Sequence, residues 1–301
     1  MRETPLSGRD LSAVLLIVLI WGSNFVAMKI GLKSFTPFQL GLVRYLFVIF
    51  PLIFIVKRPH IAWRWLIIYG FFQGFAQFGF LFISLKVGMT AALASVVLQT
   101  QIFFTALFSF IFLKEKPNRS LWIGLFFAGA GLLCFGMNFI LLGGQHSEVT
   151  TFLGFILCLC AAAMWASANV IIRLIGKHTS SEFDALGFIV WCGFLSNIPF
   201  AITTFLIDDP VSQQNWFHAS WQSWVALAYL GWISILVANT LWTKLIRVHG
   251  ANKIAPFSLA IPVFGLAAGI FFLDESISHL QWWGIGLIFL ALAQVIFGAR
   301  R

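Results

Sequence analysis

The chain has 301 residues, of which 60% are hydrophobic and only 10% are charged, and it carries a formal net charge of +9. Soluble domains contain about 25% charged residues, so a mean hydropathy of +0.94 excludes an ordinary soluble globular protein. The positive charge does not indicate a nucleic-acid partner, because the Lys and Arg residues form no dense basic cluster. We expect instead a membrane protein whose basic residues collect in its cytoplasmic loops.

Apolar segments long enough to cross a bilayer recur along the whole chain. A bilayer core requires about 20 apolar residues per helix. Ten such segments are present, at 11–31, 38–56, 65–85, 90–112, 121–141, 152–172, 186–207, 221–243, 254–273 and 280–299. The first follows Arg2 and Arg9 but lacks the small-residue cleavage site of a signal peptide, so we interpret it as a retained helix. The sequence therefore predicts an all-α membrane protein with ten transmembrane helices.

The distribution of Lys and Arg predicts the orientation of these helices. Of the 19 basic residues, 15 lie on the side of the two chain ends and 3 on the opposite side, while Arg44 lies inside the second helix. Because basic residues concentrate on the cytoplasmic side, both termini are predicted to be cytoplasmic.

A pattern in the first half of the chain returns in the second half, 160 positions later. Phe112, Leu113, Glu115, Trp122 and Gly124 recur as Phe272, Leu273, Glu275, Trp282 and Gly284. A weaker echo, 144 positions apart, relates Lys29 to Arg173. Five helices per copy is an odd number, so the second copy must cross the membrane in the opposite sense. We predict two inverted five-helix repeats, at 1–143 and 144–301, an architecture of many secondary transporters, which bind substrate between the halves.

Polar side chains inside the apolar segments are the candidates for a binding site, since such groups are expensive in lipid. Buried amides often serve only as hydrogen bonds between helices, but here they come from both halves. The predicted substrate-binding residues are Asn24, Gln73, Gln77, Gln99, Gln101, Trp165, Asn169, Asn239 and Trp242, and Arg44, Pro256 and Pro262 are predicted to serve gating or structure. Gln99 and Gln101 lie about 200° apart around their helix, so only one is expected to face a central cavity squarely.

Several catalytic and cofactor-binding patterns are absent from the sequence. All acidic and histidine residues lie in predicted loops or at helix ends, so no intramembrane proton relay is visible. The four cysteines lie inside apolar segments and lack the spacing of a metal or redox motif. We therefore expect no metal and no cofactor. A neutral, amide-lined cavity favours a small zwitterion or a polar neutral solute, and Arg44 is expected either to snorkel to the interface or to attract a carboxylate.

Several motifs resemble the EamA branch of the drug/metabolite transporter superfamily, and the resemblance covers the whole chain. They are Trp21-Gly22-Ser23-Asn24-Phe25, Arg44-Tyr45, residues 92–105 and the turn–helix units that begin at Glu115 and Glu275. More narrowly, Phe75-Ala76-Gln77-Phe78, residues 93–99 and Ala255-Pro256-Phe257-Ser258-Leu259 are similar to bacterial exporters of O-acetylserine and cysteine.

This resemblance implies export of small amino-acid metabolites through a central cavity, with rocking of helices from both halves as the gate. The implied lining comes mainly from helices one, three, four, six, eight and nine. One departure is in helix eight, where Ala238-Asn239-Thr240-Leu241-Trp242 stands in place of a Gly-Tyr-x-x-Trp pattern. Asn239 would make the cavity more polar than in similar exporters.

The leading hypothesis is an inner-membrane secondary transporter that exports small neutral amino acids or their derivatives. Its expected partners are the small-molecule substrate and the lipid bilayer, and its expected state is a monomer or weak dimer. The alternatives are a carrier of the same fold for a nucleotide sugar, a purine or a lipophilic drug, and an integral membrane enzyme. An enzyme is disfavoured because the sequence contains no His-Glu-x-x-His or Gly-x-Ser-x-Gly motif.

Overall fold

Helices form nearly all of the structure, a computed structural model that describes residues 7–115, 118–141, 150–178 and 184–298. Ten apolar helices follow one another in these ranges: α1 (Gly8–Gly31), α2 (Pro37–Ile49), α3 (Trp63–Lys86), α4 (Ala91–Leu113), α5 (Arg119–Leu141), α6 (Phe152–His178), α7 (Ala185–Ile207), α8 (Trp221–His249), α9 (251–273) and α10 (His279–Gly298). Within the described ranges there is no β-strand, and nine of the ten helices are long and apolar enough to cross a membrane. The all-helical prediction is confirmed. The predicted repeat boundary at 143/144 lies outside the described residues, as do Lys116 and Pro117, which follow Glu115 in the sequence.

Helix α2 is shorter than the predicted segment 38–56. It begins at a capping box, in which the Thr36 hydroxyl accepts from the Gln39 backbone N–H and the Gln39 side chain accepts from the Thr36 N–H, both at 3.1 Å. It ends at Ile49 because Pro51 has no backbone N–H and disfavours a helical conformation in the residue before it. One 3₁₀ turn, Leu52–Phe54, follows.

Two kinds of irregular helix recur at matching places in the two halves. Helix α3 contains a π-helical segment at Gly70–Ala76, and α8 contains one at Tyr229–Val237. Helix α4 tightens to a 3₁₀ turn at Leu98–Thr100, and α9 does so at Ala255–Leu259. Irregularities at the same relative positions indicate that the repeat seen in the sequence is also a repeat in backbone structure.

Three helices of the first half pack antiparallel against their counterparts in the second half. The start of α2 lies beside the end of α7, where the Thr36 hydroxyl donates to the Asp208 carboxylate. The start of α5 lies beside the end of α10, where the Ser120 hydroxyl donates to the Gln294 carbonyl at 2.5 Å. The start of α4 likewise lies beside the end of α9, and α1 packs on α8 and α9 as α6 packs on α3 and α4. The packing pattern of one half therefore recurs in the other.

The polar connection between α7 and α8 folds into a short helix, Pro210–His218, which begins at the Asp209 carboxylate. This helix covers the start of α2, because the Gln39 side chain donates to the Ser212 carbonyl at 2.7 Å. Aromatic contact between Phe35 and Trp216 adds to the same junction. The α7–α8 connection is too short to fold alone, and these contacts with Gln39 and Phe35 hold it against the start of α2.

Helices α5 and α10 approach so closely that backbone contacts backbone. A Cβ atom added at Gly284 would lie 2.9 Å from the Gly131 carbonyl oxygen, and a Cβ added at Gly131 would lie 2.9 Å from the Gly284 oxygen. Two residues away, Gly286 is exposed and has no atom within 4 Å of an added Cβ. The crossing therefore depends on the absence of a side chain at Gly131 and Gly284.

We predict that Gly284→Ala destabilises the protein by about 1–3 kcal/mol, the usual cost of forcing extra carbon into a packed site. The matched substitution Gly286→Ala should be neutral or stabilise by up to about 1 kcal/mol, because Ala restricts the unfolded chain at no steric cost. Thermal unfolding of the two variants in detergent checks this. Equal unfolding midpoints would contradict the close crossing.

Candidate functional site

A cavity of about 570 Å³ lies between the C-terminal halves of α4 and α6 and the start of α5. Its lining mixes polar residues, which together we call the polar wall, with aliphatic ones: Gln101, Ile102, Thr105, Ala106, Ser109, Glu115, Asn118, Leu121, Asn169, Ile172, Arg173 and Val295. Small-molecule sites commonly have volumes of about 300–1,000 Å³ and a few convergent polar groups. Size and lining both suit a small organic ligand.

The polar wall is built by helical spacing. Gln101, Thr105 and Ser109 are four residues apart on α4, and Asn169 and Arg173 are four apart on α6, so each set lies on one helix face. The Asn169 side-chain amide donates to the Gln101 amide oxygen at 2.8 Å and to the Thr105 hydroxyl at 3.0 Å. These contacts hold two neutral amides and a hydroxyl together at the deep end of the cavity.

One turn further along, the polar wall becomes charged. The Arg173 guanidinium donates to the Glu115 carboxylate at 2.8 Å and to the Ser109 hydroxyl at 3.2 Å. The two charged side chains are 50% and 48% exposed, so this end of the cavity is open. The cavity thus presents one fixed cation and one fixed anion at its mouth and uncharged hydrogen-bonding groups behind them.

The cavity is closed at its other end. Residues 91–97 of α4, which continue beyond Gln101 toward the opposite end of the molecule, are at most 1% exposed. The Ser95 hydroxyl donates to the Ala92 carbonyl at 2.7 Å and approaches the Pro262 carbonyl of α9 at 3.4 Å. Helices α4 and α9 are packed tightly here, and the cavity communicates with only one side of the molecule.

The structure brings two of the predicted binding residues, Gln101 and Asn169, into this cavity. Gln99 is buried at 7% exposure and does not line it, in agreement with the expected separation around α4. Gln73 and Gln77 share one face of α3 and bond to each other at 2.7 Å. Their amides lie away from the cavity lining, and their predicted contact with a substrate stays a prediction.

The remaining predicted residues occupy helix contacts in this structure. The Asn239 amide donates to the Ser234 and Ile235 carbonyls of its own helix, and Trp242 packs edge-on against Trp21 with ring centroids 5.2 Å apart. Trp165 is half-buried against the main apolar core. Asn24 has a buried side-chain oxygen with no hydrogen-bond partner among the described residues.

Arg44 neither snorkels nor meets a carboxylate in the part of the chain that the structure describes. Its side chain is 1% exposed, and its guanidinium carbon lies 3.6 Å from the Phe78 ring centroid and 5.1 Å from that of Tyr45. The expectation of snorkelling is wrong, because aromatic rings enclose the charge within the helix bundle.

The two predicted prolines both lie in α9. Pro256 lies in the 3₁₀ segment of α9, and Pro262 supplies the carbonyl that Ser95 approaches.

The residues that sequence reasoning missed are the two charges of the mouth. Arg173 was expected to lie in a loop, after a helix ending at 172, but α6 continues to His178 and carries Arg173 on the same face as Asn169. Glu115 was recognised only as a repeated residue. The feature of the sequence that marks both residues is their repetition, since Arg173 repeats the charge of Lys29 and Glu275 repeats that of Glu115. Charged residues beside apolar helices are unusual in a membrane protein, so a repeated one is a candidate for function.

Comparison with known proteins supports a membrane carrier. A model of the EamA-like transporter family matches residues 10–137 and 152–297. A probable amino-acid metabolite efflux pump of Escherichia coli is 35% identical over 300 residues, which cover 98% of this chain and 97% of the relative. A protein of the same description from Salmonella typhimurium is also 35% identical, over 98% of this chain and 97% of its own. A crystal structure with 17% identity and a TM-score of 0.59 covers 97% of this chain and 99% of its own, and it shares the fold.

We predict one-sided access to the cavity. In a variant whose four native cysteines are replaced, Thr105→Cys should react with a membrane-impermeant thiol reagent from one face of the membrane, because Thr105 lines the open cavity. Ser95→Cys, on the same helix but 0% exposed, should react at least tenfold more slowly from that face. Labelling of right-side-out and inverted vesicles measures both rates. Equal reactivity of the two positions would show that the cavity is not open.

Proposed function

Because the chain belongs to the EamA-like transporter family, we propose that it exports small neutral zwitterions of the cysteine and O-acetylserine type by alternating access. It is a multi-pass protein of the inner membrane, and the family and its relatives are transporters rather than enzymes. Both relatives at 35% identity are described as probable amino-acid metabolite efflux pumps. The direction of transport and the class of cargo in the proposal rest on them.

The observation that carries the cargo proposal is the charge balance of the cavity. Arg173 supplies a cation and Glu115 an anion, and Asn169 and Gln101 supply neutral amides one turn deeper. An α-carboxylate is complementary to the guanidinium and an α-ammonium to the carboxylate. A free amino acid can therefore replace the internal ion pair with two equivalent contacts. Such an exposed pair contributes only about 0–1 kcal/mol, so little stability is lost when it opens.

The same lining argues against the other cargoes. A nucleotide sugar carries phosphate groups that require an excess of cations, whereas Arg173 is balanced by Glu115. A purine would gain from stacking on aromatic rings, but Trp21, Trp165 and Trp242 do not line the cavity. A lipophilic drug would displace water from the exposed charges of Arg173 and Glu115 without offering either of them a polar contact, which is costly.

For the membrane topology we propose ten spans with both termini in the cytoplasm, arranged as two inverted repeats at 1–143 and 144–301. The antiparallel pairs α2/α7, α4/α9 and α5/α10 support the inversion, and the 15-to-3 distribution of basic residues supports the orientation. In this orientation Glu115 and Arg173 face the cytoplasm, so the structure is inward-open. We propose a monomer or weak dimer.

Loss of one cavity amide should strongly reduce efflux. We predict that Asn169→Leu lowers the efflux of labelled cysteine or O-acetylserine from loaded vesicles at least tenfold, because it removes a hydrogen-bonding group of the cavity. Asn197→Leu is the matched control, since Asn197 is 8% exposed, lies on α7 outside the cavity and has a side-chain oxygen unbonded within the described ranges. It should keep near-normal efflux. Efflux by Asn169→Leu at the control's rate would remove Asn169 from the site.

Both charges of the cargo should be required. A panel of competitors tests this: an intact amino acid, the corresponding amine without the carboxylate, and the corresponding acid without the ammonium group. The intact zwitterion should inhibit efflux of labelled O-acetylserine at a concentration at least tenfold lower than either single-charge analogue, because only it satisfies both Arg173 and Glu115. Equal inhibition by all three would contradict a zwitterion site.

In the same assay, Gln77→Leu tests whether the α3 amides bind cargo in another conformation.

A further inference from the structure

The carboxylate of Glu275 joins the α9–α10 connection to the start of α4. Its two oxygens accept from the Ala91 and Ala92 backbone N–H groups, at 2.7 and 2.8 Å, and the residue is only 8% exposed. The first N–H groups of a helix have no partner within the helix and carry partial positive charge. One carboxylate thus satisfies two of them, at the closed end of the molecule.

The space for this carboxylate is created by Gly269. A Cβ atom added there would lie 2.5 Å from a Glu275 carboxylate oxygen and 2.8 Å from the Ala92 backbone nitrogen. Any side chain at Gly269 would therefore displace either Glu275 or α4. The contact between Glu275 and α4 is a built junction and not an incidental surface interaction.

Glu115 is held in the same backbone frame as Glu275. Helices α4 and α9 each span 23 residues, beginning at 91 and 251 and ending at 113 and 273. Each is followed by a left-handed residue, Lys114 with φ 59° or Asp274 with φ 53°, which turns the chain back. The next N–H, of Glu115 or Glu275, donates to the carbonyl of Ser109 or Gly269, at 3.3 Å in both cases. The two carboxylates are therefore equivalent in the repeat.

Their partners differ, and so does the state of the two ends. Glu115 bonds Arg173 at the open mouth, whereas Glu275 bonds the first turn of α4. Most positions that correspond to the cavity lining in the other repeat are closed. Ile261, Pro262, Leu266 and Gly269, which follow Gln101, Ile102, Ala106 and Ser109 by 160 positions, are all buried. At the end of the molecule where Glu275 binds α4 the helices are packed closed, and at the end where Glu115 binds Arg173 the cavity is open.

We propose that Glu275 and Glu115 are alternating latches. When the outer side opens, Glu275 leaves the start of α4; when the inner side closes, Glu115 leaves Arg173 and binds the backbone N–H groups of residues 251 and 252 at the start of α9. The exchange replaces one carboxylate–helix contact by an equivalent one, and the Glu115–Arg173 pair that is broken is half exposed and contributes little. The two states are then of similar energy, which a carrier requires. The proposal rests on the alternating access of the proposed function.

The test measures how far each side of the protein is open, by the rate at which an introduced cysteine is labelled, and it does not depend on transport. In a variant lacking the four native cysteines, Ala106→Cys reports the inner cavity, and Leu266→Cys, at 8% exposure, reports its closed counterpart. Glu275→Gln should raise the labelling rate of Leu266→Cys from the outer face at least fivefold and lower that of Ala106→Cys from the inner face. Glu115→Gln should act in the opposite sense, and the double variant should return both rates toward their starting values.

Asp274→Asn is the matched control, because Asp274 is an exposed acid next to Glu275 and its left-handed conformation suits Asn. It should leave both rates unchanged. If Glu275→Gln does not fold, Glu275→Asp shortens the latch while keeping its charge and should give a smaller shift in the same direction. Unchanged rates in the folded Glu275 variants, or a double variant no closer to the starting values than Glu275→Gln, would overturn the latch.

Efflux by the same proteins separates this proposal from the proposed function. A labelling shift without efflux of any zwitterion would leave the latch standing and overturn the cargo. Normal zwitterion efflux in the parent protein, with no labelling shift in the latch variants, would overturn the latch and leave the cargo standing.

Discussion

In a bilayer, a polar group that leaves water must find its partner inside the protein. Several buried polar contacts among the described residues follow from that constraint. Gln73 bonds Gln77, Asn169 bonds Gln101 and Thr105, aromatic rings enclose Arg44, and Glu275 satisfies the first turn of α4. The contacts differ in one respect. Those of Asn169, Gln101 and Thr105 line the cavity, so a ligand that enters it can replace one partner there.

The two repeats use one backbone frame for different chemistry. The inner cavity is lined by Gln101, Thr105 and Arg173, and the corresponding positions of the other repeat hold Ile261, Gly265 and Lys29. Uncharged hydrogen-bonding groups are therefore concentrated on the open side of the molecule. The two charges have counterparts in Lys29 and Glu275, whereas the amide of Gln101 and the hydroxyl of Thr105 are replaced by Ile261 and Gly265. The asymmetry is in keeping with an exporter.

Much of the fold could be predicted from the sequence, because hydrophobic length and a repeated motif are strong signals. The all-helical class and the approximate bounds of the helices follow from them. The length of α2 could not be read from hydrophobicity, since Pro51 ends the helix inside an apolar run. The hydrophobic pattern also does not predict which amides contact each other, because π-helical segments such as Gly70–Ala76 rotate the side chains that follow them in the same helix. Arg173 was overlooked because charge usually marks a loop, whereas α6 here continues past it.

The proposed site lies between the amides of Asn169 and Gln101 and the charges of Arg173 and Glu115. A structure of the protein with O-acetylserine or cysteine bound is the sharpest test of this site. We expect ligand density in the cavity, with the carboxylate on Arg173, the ammonium group on Glu115 and the Arg173–Glu115 pair separated. Ligand density elsewhere, or a cavity that stays empty with the ion pair intact at saturating cargo, would contradict it.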